Sequence, residues 1–398
     1  MSELHVPQGF VFSAVKAGIK ASGGLDFAMA GAPLGANAAA MFTRNLVAAA
    51  PVTIGRQNLR QTRGRMRVVV VNAGNANCAT GPLGFVAAKN VCRRAAQLMQ
   101  VREEFVIPSS TGIIGVPFPV NKLMAALPKL FEEKSTDKNA VYAFANAIMT
   151  TDKVEKIAST QFEIGSKPVK LLGIAKGSGM IHPSLATMLV YLFTDLEATP
   201  PQLKHVLRET CETTFNTISV DGDTSTNDTL LLMASGQSGV AMDSRGAAKE
   251  FERALHEVCT SLAEKIVADG EGVKHVVDLK VEGAPDARAA DKIARTIAHS
   301  MLVKTAWAGA DPNWGRILAA VGRSGVIVDP NTFEVYIGEQ QVCRGGGAVK
   351  FDEAAAHACM SQPRYPIRVK VGKGRGSAHM LTCDLTAEYV HINADYST

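Results

Sequence analysis

Short apolar runs and helical apolar spacings alternate along this sequence. The runs Val68–Val71 and Met188–Phe193 are uninterrupted and consist mainly of β-branched, aromatic and other large apolar residues. Such runs predict buried β-strands. Residues 84–100 instead place apolar side chains every three or four positions, from Ala88 to Leu98, and this spacing predicts an α-helix.

The same two patterns predict the remaining elements. Further strands are expected at 105–107, 160–174 (as a pair), Thr217–Val220, Thr229–Met233, 276–282, 333–338, 366–371 and 378–383. Further helices are expected at 120–133, 138–149, 200–214, 245–268, 287–300, 312–320 and 351–360. Because these elements alternate without a regular βαβ order, the pattern favours a layered α+β fold with mixed sheets. A chain of 398 residues is long for one core, so two domains or two large layers are expected.

Composition and charge exclude several classes of protein. Hydrophobic residues make up 46% and charged residues 20% of the chain, which is typical of a soluble globular protein. The net charge of +5 is dispersed, apart from a basic cluster at Arg56–Arg67. No aromatic residue is interleaved with that cluster, so a solvated loop before a strand is expected there, and no nucleic-acid site. The longest apolar run is too short to span a bilayer, so no membrane segment is expected.

Cysteine and histidine spacing predicts neither a disulfide framework nor a metal site. The seven cysteines are odd in number and include no C-x-x-C, and the nine histidines show no metal-ligand spacing. The first residues, MSELHVPQGF, are unlike a secretory signal peptide. Reduced thiols in a cytoplasmic protein are therefore expected.

The pair Ala186-Thr187 stands between a Gly-rich, lysine-containing segment and the apolar run that begins at Met188. A threonine hydroxyl becomes a useful nucleophile when a base lies beside it, and its own α-amine can act as that base. A free α-amine has a pKa of about 7.7–8.0, close to working pH. This chemistry requires cleavage before Thr187. From the residues alone, the favoured interpretation is that this threonine merely starts a strand, because β-branched residues suit strands.

The text around this pair resembles the self-processing site of the ornithine acetyltransferase family, which comprises glutamate N-acetyltransferases. The similar segment reads KGSGMIHPSLATMLVYLFTD, and other segments resemble the family in the same order: VNAGNAN (71–77), STG (110–112), MTTD (149–152), DGDTSTND (221–228), DGEG (269–272), DPNWGR (311–316) and INADYST (392–398). The resemblance implies an αββα-type layered sandwich, related to the self-cleaving aminopeptidase D-esterases.

The resemblance also implies the site residues. Thr187 is the expected nucleophile, and Thr111 and Gly112 are the expected oxyanion donors at a strand-to-turn junction. Lys176, expected in the Gly-rich loop, would bind the substrate α-carboxylate. The other residues implied to contact substrate are Thr150, Thr151, Glu271, Asn393 and Thr398, and which of the two adjacent threonines does so is left open.

By the same resemblance, cleavage between Ala186 and Thr187 yields chains 1–186 and 187–398, interleaved in one fold and assembled as two α and two β chains. The expected reaction moves an acetyl group from N²-acetylornithine to L-glutamate through an acetyl-threonyl enzyme, without metal or organic cofactor. Whether acetyl-CoA is also a donor stays open. The alternatives are an N-terminal-nucleophile amidohydrolase or aminopeptidase, and a magnesium phosphohydrolase built on Asp221 and Asp223.

Overall fold

The computed structural model describes residues 3–182 and 188–395, which divide into two compact units. The first unit comprises the described residues of 3–216 together with 223–266. The second comprises 217–222 and the described residues from 267 onward. The expectation of two domains or two large layers agrees with this division.

The first unit combines one large mixed sheet with six labelled helices in the described residues. Its strands are β1 Val11–Val15, β2 Phe27–Phe42, β3 Arg65–Asn75, β4 Val106–Ile113, β5 Lys156–Ile164, β6 Lys167–Lys176, β7 Leu189–Thr194 and β8 Thr229–Ala234. Its helices are α1 Ala50–Gln61, α2 Gly81–Met99, α3 Val120–Glu132, α4 Lys138–Ala147, α5 Pro200–Thr213 and α6 Arg245–Ala268. The strand order is β4-β3-β2-β8-β7-β6-β5, with β1 paired to β2.

The long strand β2 divides this sheet into two halves. Its first half pairs with β1 and β3, its second half pairs with β8, and the register with β3 shifts between Gly31 and Ala36. Side chains from both halves meet in one core, where the Phe12 and Phe193 rings lie 5.1 Å apart at nearly a right angle. The two halves therefore pack face to face.

Helices cover the outer faces of both halves. Successive valines of β3 point to opposite faces, as strand geometry requires: Val69 packs into the inner core, while Val68 packs against α1, α2 and α3. On the other half, a Cβ at Gly173 of β6 would lie 2.7 Å from both Leu262 and Val258 of α6. The described part of the first unit is thus an αββα sandwich, which confirms the predicted fold class.

The second unit is a separate mixed sheet with helices on one face. Its elements are β9 Val276–Ala284, α7 Ala287–Ala298, α8 Met301–Ala308, α9 Trp314–Gly322, β10 Glu334–Ile337, β11 Gln340–Arg344, β12 Gly347–Ala348, α10 Glu353–Met360, β13 Arg364–Lys370, β14 Gly376–Cys383 and α11 Ala387–Asp395. The buried side of the sheet packs with α7, α8 and α9 around Trp307, which is 2% exposed.

Two local predictions are wrong. The basic cluster Arg56–Arg67 is not a loop, because its first part belongs to α1, which starts with proline in its first turn and buries Ile54. In the described residues, the segment Thr217–Val220 does not form the predicted strand. A 3₁₀ turn ends at Thr217, and only the bridge between Ile218 and Leu381 follows in the described residues.

Candidate functional site

Thr111 and Gly112 are within the last three residues of β4, just before the strand ends, because parallel pairing with β3 continues to that point. In that register Gly74 of β3 is opposite Gly112. The φ angle of Gly112 is +123°, and a Cβ there would lie 2.4 Å from the carbonyl carbon of Gly74. Only glycine fits this close approach of two backbones. The backbone beside the Thr111 hydroxyl is therefore fixed.

Lys176 lies at the end of β6 and not in a loop, and it is only 5% exposed. Its Nζ donates hydrogen bonds to Thr111 Oγ1 at 3.1 Å and to Thr150 Oγ1 at 2.8 Å. Three residues predicted from separate segments are thus brought together by β4, β6 and the end of α4. Because Thr111 Oγ1 accepts from an ammonium group, its own proton is available to another acceptor.

The carboxylate of Asp152 anchors this lysine. Asp152 Oδ2 lies 3.9 Å from Lys176 Nζ, and Oδ1 accepts from Lys156 Nζ and the Gly177 N–H, both at 2.7 Å. The Asp152 side chain is fully buried, which by itself raises its pKa, but the ammonium groups of Lys176 and Lys156 hold that pKa at about 2. Asp152 is therefore ionised at neutral pH and forms an ion pair with the Lys176 side chain.

This arrangement predicts an acid-dependent contribution to stability. The folded-state pKa of Asp152 is lower than the value of about 3.9 in an unfolded chain. The stabilisation is therefore complete above about pH 4 and is lost as the pH falls toward 2, with a magnitude of about 2–3 kcal/mol. We expect Asp152→Asn to lower the free energy of unfolding at pH 7, and this difference from wild type to shrink in urea titrations between pH 4 and pH 2.5. A difference that does not change with pH would contradict the assignment.

The two adjacent threonines have different partners. Thr150 contacts Lys176, whereas Thr151 Oγ1 forms a hydrogen bond of 2.7 Å with Ser178 Oγ. The Thr150 hydroxyl is therefore part of the cluster around Lys176, whereas the Thr151 hydroxyl contacts the segment that follows β6.

A buried network of asparagines, which sequence reasoning did not assign, holds the end of β4. Asn227 Nδ2 donates to the carbonyl oxygens of Ser110 and Ala76 at 2.8 and 2.7 Å. Asn72 Oδ1 accepts from Ser110 Oγ at 2.6 Å. All four groups are buried. The signal was present in the repeated asparagines that follow the valine run, since buried amides need partners.

A small cavity lies beside this cluster. It is lined by Thr111, Lys176, Met188, Leu189, Ser225, Asn227 and Asp228. Met188 directly follows the predicted nucleophile, and its backbone N–H donates to Asp228 Oδ1 at 3.0 Å. The predicted cleavage site Ala186-Thr187 itself lies outside the described residues. In the sequence it falls between β6 and β7. These two strands pair with each other, and Lys176 is opposite Leu189.

A larger cavity of about 620 Å³ lies elsewhere in the first unit. Its lining includes Met66 at the start of β3 and Ala234 at the end of β8. The cluster around Thr111 lies at the other ends of these strands, beside Asn72 and Asp228. The buried Thr111 and Lys176 line the smaller cavity and not this one.

In the second unit, Glu271 and Asn393 are brought together. Asn393 Nδ2 of α11 donates to Glu271 Oε2 at 2.8 Å, and Glu271 is 8% exposed. The φ angle of Gly272 is +68°, and a Cβ there would lie 2.5 Å from the Tyr389 nitrogen, so α11 packs directly on this turn. Thr398 lies outside the described residues.

The magnesium alternative depends on Asp221 and Asp223. Within residues 3–182 and 188–395, no group of three or more His, Cys, Asp or Glu side chains is arranged to hold a metal ion. The strand expected to precede Asp221 is absent as well. All seven cysteines are free in the structure. Over the same residues, no helix has both the length and the apolar character needed to cross a membrane.

Several known proteins are similar to this chain. The model of the ArgJ family matches residues 11–398. The arginine biosynthesis bifunctional protein ArgJ of Parasynechococcus marenigrum (strain WH8102) is 42% identical over 98% of this chain and 94% of its own length. The crystal structure of ornithine acetyltransferase from Mycobacterium tuberculosis, complexed with ornithine, is 37% identical and covers 45% of this chain and 94% of its own, with a TM-score of 0.39. The L-aminopeptidase D-Ala-esterase/amidase of Ochrobactrum anthropi is 12% identical and covers 67% of this chain and 85% of its own, with a TM-score of 0.39.

Proposed function

Since this chain belongs to the ArgJ family and is an acyltransferase of arginine biosynthesis, we propose that it transfers an acetyl group from N²-acetylornithine to L-glutamate. The observation that carries the proposal is the buried contact of Lys176 Nζ with the hydroxyls of Thr111 and Thr150. This contact brings together the Lys176 ammonium group, which suits a substrate carboxylate, and the Thr111 hydroxyl, which suits an oxyanion. Both residues line the small cavity, as Met188 does.

The first step is self-cleavage at Thr187. Thr187 Oγ attacks the Ala186 carbonyl carbon, a C–O bond forms, the peptide C–N bond breaks, and the nitrogen leaves as the α-amine of Thr187. Water then hydrolyses the ester and releases the Ala186 carboxylate. The products are chains 1–186 and 187–398. The position of the bond between two paired strands, β6 and β7, supports this step, because the sheet holds both sides of the bond.

The second step is acetyl transfer through a covalent intermediate. The α-amine of Thr187 takes the proton of its own hydroxyl, and Oγ attacks the acetyl carbon of acetylornithine. Donors aimed at the developing oxyanion lower the barrier. The Thr111 hydroxyl and the Gly112 N–H are the proposed donors, and the Lys176 ammonium on Thr111 Oγ1 directs the Thr111 proton away from Lys176. The amide C–N bond breaks, and ornithine leaves with the returned proton. The glutamate amine then attacks the acetyl-threonyl ester, the ester C–O bond breaks, and the amine proton passes through the Thr187 α-amine to Thr187 Oγ.

Substrate binding divides between the two ends of an amino acid. Lys176 binds the α-carboxylate that both substrates carry, with Thr150 or Thr151 beside it. The proposed residues for the ornithine side chain are Glu271, Asn393 and Thr398, where the Glu271 carboxylate suits the ammonium group. Each step uses groups of the chain and of the substrates, so no cofactor is proposed. An additional acetyl-CoA donor would fit the word bifunctional in the name of the Parasynechococcus relative.

The test separates transfer from hydrolysis. With acetylornithine alone, we expect a burst of ornithine equal to the enzyme concentration and then slow release, because the acetyl-enzyme accumulates. Glutamate should restore steady turnover. Ornithine release is measured by rapid quench with and without glutamate, and the acetyl-enzyme by intact mass. Turnover that is equally fast without glutamate would replace this proposal with the amidohydrolase alternative.

The proposal extends to the oligomeric assembly and the cellular compartment of the protein. After cleavage we expect two α and two β chains in one particle. Seven free thiols support a reducing compartment, the cytoplasm. Light scattering of the cleaved protein measures the particle mass.

A further inference from the structure

The Asp228 carboxyl group contacts the residue that follows the predicted nucleophile. β7 and β8 run parallel with Leu189 opposite Thr229, so the residues just before them, Met188 and Asp228, lie side by side. The Met188 N–H donates to Asp228 Oδ1 at 3.0 Å, and Asp228 is 2% exposed. This N–H belongs to the peptide unit that Met188 shares with Thr187.

The carboxyl group also lines the small cavity with Thr111 and Lys176. Burial raises the pKa of Asp228 well above its usual range, while the Met188 N–H and the Lys176 ammonium act in the opposite direction. In its neutral or its ionised form, the carboxyl group keeps an oxygen that can accept the Met188 N–H.

We propose that Asp228 is a positioning residue, whose carboxyl group fixes the Met188 N–H and thereby the peptide unit carrying Thr187, for both self-cleavage and acetyl transfer. This inference rests on the proposed function. A small displacement of a reacting group lowers rates strongly while substrate affinity changes little. Loss of the acceptor at Asp228 therefore acts on kcat and on the cleavage rate.

The chain offers a matched control at the other end of β7. Asp195 directly follows the strand, is also 2% exposed, and accepts backbone N–H groups from Lys170 at 2.8 Å and Gln8 at 3.1 Å. Burial raises its pKa as well. It lies seven residues beyond Met188 along the strand, which is about 23 Å at 3.3 Å per residue. Replacing either aspartate removes a buried acceptor, but only Asp228 contacts the peptide unit of Thr187.

The experiment compares Asp228→Ala, Asp228→Asn, Asp195→Ala and wild type as full chains. Self-cleavage is followed by intact mass after a pulse of cell-free synthesis, and kcat and KM are measured on the cleaved proteins. We expect Asp228→Ala to lower the cleavage rate and kcat by about 10- to 100-fold with KM little changed. Asp228→Asn keeps an acceptor oxygen and should stay within a few-fold of wild type.

Urea unfolding of all variants separates positioning from stability. We expect Asp195→Ala to lose as much free energy of unfolding as Asp228→Ala while it cleaves and turns over like wild type. Equal kinetic losses in the two alanine variants, wild-type kinetics in Asp228→Ala, or an Asp228→Asn variant as slow as Asp228→Ala would each overturn the inference. A wild-type chain that neither cleaves nor transfers would instead overturn the proposed function.

Discussion

Thr187→Ala is expected to give a single uncut chain without transferase activity. The substitution removes the hydroxyl that attacks Ala186 and, because no cleavage follows, also the α-amine that acts as its base. Wild-type protein should show the masses of two chains, and the second chain should begin with TMLVYLFTD. The measurement is intact mass under denaturing conditions together with ornithine release from acetylornithine.

Thr187→Ser is the control, because it keeps the hydroxyl and loses only a methyl group. It should cleave and transfer at a reduced but measurable rate. A wild-type chain that is fully active while uncut would exclude the N-terminal-amine mechanism, whatever the alanine variant does.

Thr111→Ala should have the next largest effect. It removes one proposed oxyanion donor while the Gly112 N–H remains, so we expect kcat to fall by about 10²- to 10³-fold with a smaller change in KM. Self-cleavage should slow as well, because the tetrahedral intermediate at Ala186 needs the same donors. Steady-state kinetics and a cleavage time course measure the two effects.

Thr111→Ser is the matched variant, since it keeps a hydroxyl that can accept from Lys176 Nζ as Thr111 does. It should retain most of kcat. A Thr111→Ala enzyme in which only KM rises would make Thr111 a binding residue and remove it from the proposed oxyanion hole.

The sequence predicts most strands and helices, and it misses those whose structure depends on distant partners. β2 is rich in alanine and glycine, residues with low β-propensity, and it is a strand because β1, β3 and β8 pair with it. The basic pattern of Arg56–Arg67 predicts a loop, because the arginines obscure the buried face of α1 around Ile54.

The site shows the same limit. The resemblance selects Thr111, Thr150 and Lys176, but their contacts join residues 65 and 26 positions apart, which no local pattern predicts. The fixed lysine also needs Asp152, which a sequence reader would assign to a helix end or a turn. The valine run of β3 gives a signal for the asparagine network, because several asparagines directly follow this buried run.

The strand order of the first unit affects whether the protein can refold after the proposed cleavage. β7 and β8 lie between β2 and β6, so after the proposed cut two strands of the second chain are inserted between strands of the first. Folding before the cut is an intramolecular search, whereas refolding afterwards requires two chains to meet. Protein that is unfolded after cleavage should therefore recover slowly, and with a yield that depends on concentration. The covalent link between the two halves therefore assists folding, and the proposed cleavage removes that link after the fold has formed.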